Sequence, residues 1–149
     1  EDKIMKIAIG CDHGGYELKE HLVAFLKEKG YEVKDCGTYS KESCDYPVFG
    51  EAAARAVASG ECERGIVVCT TGIGISIAAN KVKGIRCAHV CDSLCAEMCR
   101  RHNDANMLAL GAGITGFNLA EPCVEVFLAT PFESGRHARR VAEMDAIEP

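Results

Sequence analysis

The chain is predicted to fold as an α/β protein: a three-layer α/β/α sandwich around a doubly wound, five-stranded parallel sheet. Three observations carry this expectation. Short apolar runs alternate with longer amphipathic stretches along the 149 residues, the pattern of repeated βα units. Glycine or proline punctuates most of the changes from one to the other. The middle run, Gly65-Ile66-Val67-Val68-Cys69, is apolar on both faces, as suits a strand covered by helices on both sides. Hydrophobic residues make up 48% and charged residues 26%, which excludes disordered and fibrous classes. The length suits one domain over 1–149, with a core that needs no disulfide staples.

The elements follow in order. Residues 6–10 form a buried strand. Residues 15–29 place Leu18, Leu22, Phe25 and Leu26 at helical spacing, and Gly30 stops that helix. A second strand covers 31–36, and 37–46 reads as a loop. Pro47 suits a helix start, and Ala52, Ala53, Ala56 and Val57 carry that helix to Gly60. The third strand, 65–69, leads through a glycine-rich turn at 70–74 into a helix over 75–82. A strand at 85–90, a helix at 93–101, a strand at 106–110 and helices at 115–128 and 136–147 complete the chain. Ligands of such sheets collect beyond the carboxyl ends of the strands. The loops at 11–15, 37–46, 69–75, 91–93 and 111–116 are therefore where chemistry is expected.

Charge and composition exclude several partners. Seventeen Lys+Arg against 22 Asp+Glu give a net charge of -5, the wrong sign for a nucleic-acid protein. No apolar run reaches the roughly 18 residues of a membrane span. Glu1-Asp2-Lys3-Ile4 does not open a signal peptide; Met5 reads as a native start, with residues 1–4 an added stretch. Ten cysteines, at 11, 36, 44, 62, 69, 87, 91, 95, 99 and 123, are the odd feature. Without a signal peptide they indicate a reducing, cytoplasmic setting in which most serve as small buried side chains. Cys87, Cys91, Cys95 and Cys99 are spaced by four, but Cys87 falls in a strand, and three thiolates on one helix do not close a tetrahedral metal site. They are expected to face the core.

The turn Cys69-Thr70-Thr71-Gly72-Ile73-Gly74-Ile75-Ser76 ends the central strand and opens a helix. Backbone N–H groups and the helix dipole favour an anion there, and a thiol at this place is expected to have a lowered pKa. The alternative is a tight turn with a buried cysteine. Ile77 stands where a dinucleotide fingerprint needs its third glycine, so the turn is not that fingerprint. Asp12 and His13 can share a proton or hold a hydroxyl at the end of the first strand; equally, Asp12 can cap the next helix. His102 ends a helix, where the dipole alone would explain it. Arg136 and Arg140 share a helix face with His137 beside them, a set suited to a phosphate dianion or to plain solvation.

Taken together, several stretches resemble ribose-5-phosphate isomerase type B, the family that also holds galactose-6-phosphate and allose-6-phosphate isomerases. They are Ile9-Gly10-Cys11-Asp12-His13-Gly14-Gly15, Asp45-Tyr46-Pro47, the run from Gly65 to Lys81, Gly84-Ile85-Arg86, Arg101-His102-Asn103-Asp104-Ala105-Asn106 and Gly135-Arg136-His137. The resemblance implies an aldose–ketose isomerase without cofactor or metal. It also implies strand order 2-1-3-5-4 and a homodimer or tetramer whose sites are built from two subunits. Carried over, Cys69 is the base that moves a proton between C2 and C1. Thr71 and the N–H groups of Gly72 to Gly74 hold the enediolate. Asp12 and His102 open the sugar ring, with His102 coming from the partner subunit. Asn103 and Tyr46 contact hydroxyls, and His13, Arg136, His137 and Arg140 surround the phosphate.

One departure is visible. Many members carry a Gly-x-Arg turn after the fifth strand, where this chain has Gly111-Ala112-Gly113. Either Arg136, Arg139 and Arg140 suffice, or the preferred substrate differs. His13 and His102, often absent from galactose-6-phosphate isomerase subunits, are retained, which favours ribose 5-phosphate. An isomerase of allose 6-phosphate, galactose 6-phosphate or a tetrose phosphate, and a non-catalytic sugar-phosphate-binding module, are the alternatives.

Overall fold

A computed structural model describes residues 3–147. Of the leading stretch 1–4, Glu1 and Asp2 lie outside the described residues. Five strands, β1 (Lys6–Cys11), β2 (Glu32–Asp35), β3 (Arg64–Cys69), β4 (Cys87–His89) and β5 (Met107–Gly111), form one sheet. Every neighbouring pair is parallel, in the order β2-β1-β3-β5-β4. This is the expected order, and the sandwich is the expected class.

Strand parity decides which side chains meet which helices. Along β3, Ile66 and Val68 face one side, and Val67 and Cys69 the other. The first side packs against α1 (Tyr16–Glu28), α4 (Ser93–Arg101) and α5 (Phe117–Ala129) through Leu22, Cys99 and Phe127 among others. The second packs against α2 (Tyr46–Ala58) and α3 (Ile73–Asn80) through Ala53, Val57, Ile75 and Ala79. A sixth helix, α6 (Arg136–Asp145), joins the sheet edge through Arg86, whose guanidinium donates to the Asp145 carboxylate at 3.0 Å. Among the described residues no helix is long and apolar enough to cross a membrane.

Of the boundaries that differ from the pattern-based expectation, two are explained by turn chemistry. The helix after β3 starts at Ile73, two residues early, because Gly72 adopts φ +81 and caps it directly. The helix after β5 starts at Phe117, two residues late, because Thr115 N–H still bonds Gly111 O in the preceding turn.

A buried ion pair fixes the loop that follows β2. Lys19 of α1 is fully buried, and its ammonium donates to both carboxylate oxygens of Asp35, at 3.0 and 2.8 Å. Burial opposes the Lys19 charge, but the bonds to Asp35 and Glu20 outweigh it, so its pKa is raised. Asp35 also accepts the Gly37 N–H at 2.9 Å, and its carbonyl accepts the Tyr39 hydroxyl at 2.9 Å. Removing the acid strands a desolvated ammonium. Asp35→Ala is therefore expected to cost about 3 kcal/mol, measured as a lower urea midpoint with an unchanged slope.

Candidate active site

The carboxyl ends of β1 and β3 bring the first group of residues together. Cys69 ends β3 on the α3 side of the sheet, 5% exposed. Its Sγ accepts the Gly72 N–H at 3.1 Å, so the sulfur lies against the opening turn of α3. Thr71 Oγ1 accepts the Ile73 N–H at 3.2 Å. The turn has no room for side chains at its glycines. A Cβ on Gly72 would come within 2.8 Å of the His89 ring and the Leu110 backbone, and one on Gly74 within 2.6 Å of the Tyr46 ring. Tyr46, the first residue of α2, thus roofs the turn.

The loop after β1 leans on the same turn. A Cβ at Gly14 would lie 2.2 Å from Thr70 Oγ1. Asp12 is buried and caps the short 3-10 turn His13–Gly15 by accepting the Gly15 N–H at 3.1 Å. The capping role is therefore real, and the carboxylate lies beside Gly14, the residue that abuts Thr70 of the Cys69 turn. His13 Nδ1 accepts the Cys44 N–H at 3.2 Å. A neutral His13 consequently carries its proton on Nε2, outward from the 37–45 loop.

A second group collects at the opposite, amino edge of the sheet. His102 is the C-cap of α4, and its ring stacks on that of His137 at 4.3 Å and 9°. Glu133 Oε1 lies 3.6 Å from His137 Nε2 and 3.9 Å from His102 Nε2. A cavity of about 320 Å³ is lined by His102, Asn103, His137, Arg140, Val141 and Met144. Burial, then His102 and Arg136, push the His137 pKa down. Buried Arg100 anchors this corner by donating to Thr130 O at 3.1 Å, Asp104 Oδ1 at 2.8 Å and Ala105 O at 2.7 Å. Arg136 and Arg140 are exposed and have no acidic partner among the described residues. His102, Glu133 and His137 bring their donor atoms within 4.8 Å of one another. Their fit to a metal is poor: parallel rings aim their lone pairs side by side, and the Arg101 guanidinium already lies 3.7 Å from Glu133. The cations suit an anion.

Residues 7–144 match the Ribose/Galactose Isomerase family. The chain belongs to this family. It is 49% identical over 143 residues to ribose-5-phosphate isomerase B of Escherichia coli, covering 96% of each chain. It is 44% identical to the galactose-6-phosphate isomerase subunit LacB of Clostridium acetobutylicum, covering 92% of this chain and 79% of that one. The solved structure of Clostridium thermocellum ribose-5-phosphate isomerase B superposes with a TM-score of 0.96 at 58% identity, with 97% of each chain covered.

Within the isomerase fold, the expected site residues divide into two sets. Asp12, His13, Tyr46, Cys69, Thr71, Gly72 and Gly74 are neighbours at the carboxyl edge. His102, Asn103, Arg136, His137 and Arg140 are neighbours at the amino edge. The expectation that His13 surrounds one phosphate with Arg136, His137 and Arg140 is not met inside a single chain. α4 returns the chain across the sheet before β5 starts, so His102 and Cys69 lie at opposite edges of the sheet.

Cys11, next to Asp12, is fully buried, and burial pushes its thiol up to about 12. Two expectations about cysteine are corrected. Cys91 and Cys95 do not face the core but are exposed. The buried stripe of α4 is Ala96, Cys99 and Arg100, which leaves Cys95 outside, its N–H bonded to Asp92 at 2.7 Å, while Cys91 sits in the turn before the helix. The pattern reading also missed His89, at the end of β4 beside Gly72, and buried Thr115. Neither lies in a motif, and only the sheet order brings them close to the turns. Native labelling with a maleimide is expected to modify Cys91 and Cys95 first and to leave Cys11, Cys62, Cys99 and Cys123 unmodified, read by peptide mass spectrometry.

Proposed function

We propose that the protein interconverts ribose 5-phosphate and ribulose 5-phosphate through a cis-enediolate, with Cys69 as the base. The observation that carries this reading is the Gly72 N–H bond to Cys69 Sγ at the start of α3. An N–H donor and the positive end of a helix stabilise a thiolate over a thiol. The thiolate takes the proton from C2 and returns it at C1 while a proton passes from O2 to O1, so that C1 and C2 exchange oxidation level without any external carrier. Negative charge on the enediolate oxygens is met by Thr71 Oγ1 and the N–H groups of Gly72 to Gly74. Fixed donors of this kind are often the largest catalytic contribution. Asp12 and His102 transfer protons during ring opening, Tyr46 and Asn103 hold hydroxyls, and His13, Arg136, His137 and Arg140 hold the phosphate.

The two residue sets fit this chemistry when two copies pair, the carboxyl edge of one meeting the amino edge of its partner. Each homodimer, alone or within a tetramer, then has two composite sites. The reading includes a cytoplasmic place in sugar-phosphate metabolism. A second reading keeps the mechanism and changes the substrate. Its support is the 44% identity to a galactose-6-phosphate isomerase subunit, together with Gly113, which leaves space at the β5–α5 turn.

Cys69→Ala is expected to lower kcat by at least about 10²-fold while leaving the circular dichroism spectrum and molecular mass unchanged. A near-native rate would remove Cys69 from the mechanism. Mixing inactive Cys69→Ala with inactive His102→Ala subunits should restore about a quarter of the wild-type rate, because half of the random dimers carry one intact site. No recovery on mixing would place both residues in one subunit. In a panel of ribose 5-, allose 6- and galactose 6-phosphates and a tetrose phosphate, ribose 5-phosphate should have the highest kcat/KM.

A further inference from the structure

The backbone bonds that hold the Cys69 turn stop short of the residue that meets the sulfur. Cys69 O accepts the Ala112 N–H and Thr70 O the Gly113 N–H, both at 2.8 Å, which ties the start of the turn to the loop after β5. Gly72 has no backbone bond to the sheet among the described residues. Its N–H goes to Cys69 Sγ at 3.1 Å, and its carbonyl accepts the Ser76 N–H at 3.2 Å in the first turn of α3. At φ +81 it adopts a conformation that only glycine takes readily. Packing holds it there. A Cβ on Gly72 would lie 2.8 Å from the Leu110 backbone and 2.8 Å from both Cδ2 and Nε2 of His89, so Gly72 rests on β5 and on the imidazole.

The sheet puts His89 in that place. It ends β4, the edge strand, opposite Ala109 in register, and so points to the α3 side. β4 also grips the other end of α3. The Asn80 amide donates to Cys87 O at 2.9 Å, and its side-chain oxygen accepts the Cys87 N–H at 2.7 Å. Two residues on one face of β4, Cys87 and His89, thus meet the end and the N-cap of α3. The His89 ring is otherwise exposed and forms no hydrogen bond or ion pair among the described residues; the ion pairs of histidine belong to His21, His102 and His137. What the protein uses of this side chain is the contact of its ring with Gly72.

We propose that His89 is a positioning residue for the isomerisation: its ring wedges Gly72 so that the N–H stays aimed at the Cys69 sulfur. The inference rests on the Cys69 reading above and adds a residue from outside the motifs that carry it. The wedge acts through ionisation, because an N–H held on the sulfur favours thiolate over thiol. Without the ring, Gly72 gains room at the open edge of the sheet, the bond loosens, and the thiol form gains at a given pH. Few other groups act on the sulfur. α3 and β5 bring no ionisable side chain to it. α2 brings Tyr46 over the turn, while its Glu51 and Arg55 pair with each other at 2.8 Å. The β1 loop brings Asp12 and His13.

The test uses the full-length protein and two readouts. One is alkylation of Cys69 by iodoacetamide, followed by peptide mass spectrometry. The other is kcat and KM for ribose 5-phosphate as a function of pH. His89→Val keeps a strand-forming residue too short to wedge Gly72, so its circular dichroism and urea midpoint should match the wild type. It should slow Cys69 alkylation about 10-fold near neutral pH and leave it unchanged in alkali, where the sulfur ionises in every variant. kcat should fall about 10-fold with KM changed less than about 2-fold, and the acid limb of the kcat profile should move to higher pH. His89→Ser, equally short and polar, should repeat this result with a side chain suited to the exposed edge. His89→Phe, which returns a flat ring without a titrating nitrogen, should restore both rates to within about 3-fold. His21→Ala, the loss of a histidine on α1, should change neither. Wild-type alkylation and kcat in His89→Val and His89→Ser would overturn the assignment. Equal slowing at every pH would do the same, since it reports access rather than ionisation. Failure of His89→Phe to restore the rates would give the effect to the imidazole nitrogens and end the wedge. An enzyme active on ribose 5-phosphate but indifferent to both short variants refutes this role alone. The alkylation pattern in a protein that isomerises no sugar phosphate refutes the isomerase reading alone.

Discussion

Much of the site depends on the parity of one buried strand. β3 is hydrogen-bonded on both sides, to β1 and β5, and covered on both faces, so it has no freedom to slip. A shift of one residue would send Val67 and Cys69 to the α1–α5 side and expose a mismatch along the whole core. The register pairs Cys69 with Gly111, and the sulfur therefore emerges on the side where α3 begins. The close approach of Gly72 and Gly74 to His89 and Tyr46 then closes the turn around it. Placement of the sulfur is thus a by-product of hydrophobic packing many residues away. Each fully buried Ile or Val of the strand contributes about 1.5–3 kcal/mol to keeping it there.

The loops are held by a different kind of force. The 37–45 loop carries Lys41 and Cys44 to the cleft, and it is tied down by polar contacts: Asp35 to Lys19 and Gly37, Tyr39 to the Asp35 carbonyl, and Cys44 N–H to His13. At the amino edge Arg100 has the same function, binding three carbonyl or carboxylate oxygens so that His102 and Asn103 project from a fixed helix end. Apolar packing sets the frame, and two buried cations set the segments that carry the candidate residues.

The elements that were legible in the sequence are those whose signal is local. Alternating apolar runs, the glycines of the 69–76 turn and the helical spacing of Leu18, Leu22 and Leu26 each depend on neighbours in the chain. What was illegible depends on pairing between distant segments. Lys19 sits among polar residues of an amphipathic helix, and only Asp35 on β2 explains its complete burial. Thr115 is an ordinary loop residue until the β5–α5 turn folds its hydroxyl inward. Cys95 is one residue removed from the buried stripe of α4, a difference that the spacing by four of the cysteines conceals. The candidate residues were nearly all recognisable by type, while their division between two edges of the sheet follows only from the direction in which α4 and α5 run.

That division also sorts the charges. The exposed guanidinium groups of Arg136 and Arg140 and the stacked imidazoles of His102 and His137 lie at the amino edge, while the Cys69 sulfur at the carboxyl edge is met by the Gly72 N–H of the α3 turn. One end of the sheet thus carries guanidinium charge without an acidic partner among the described residues, and the other offers neutral peptide donors. The molecule therefore presents two unlike faces to anything that approaches it along the strand axis.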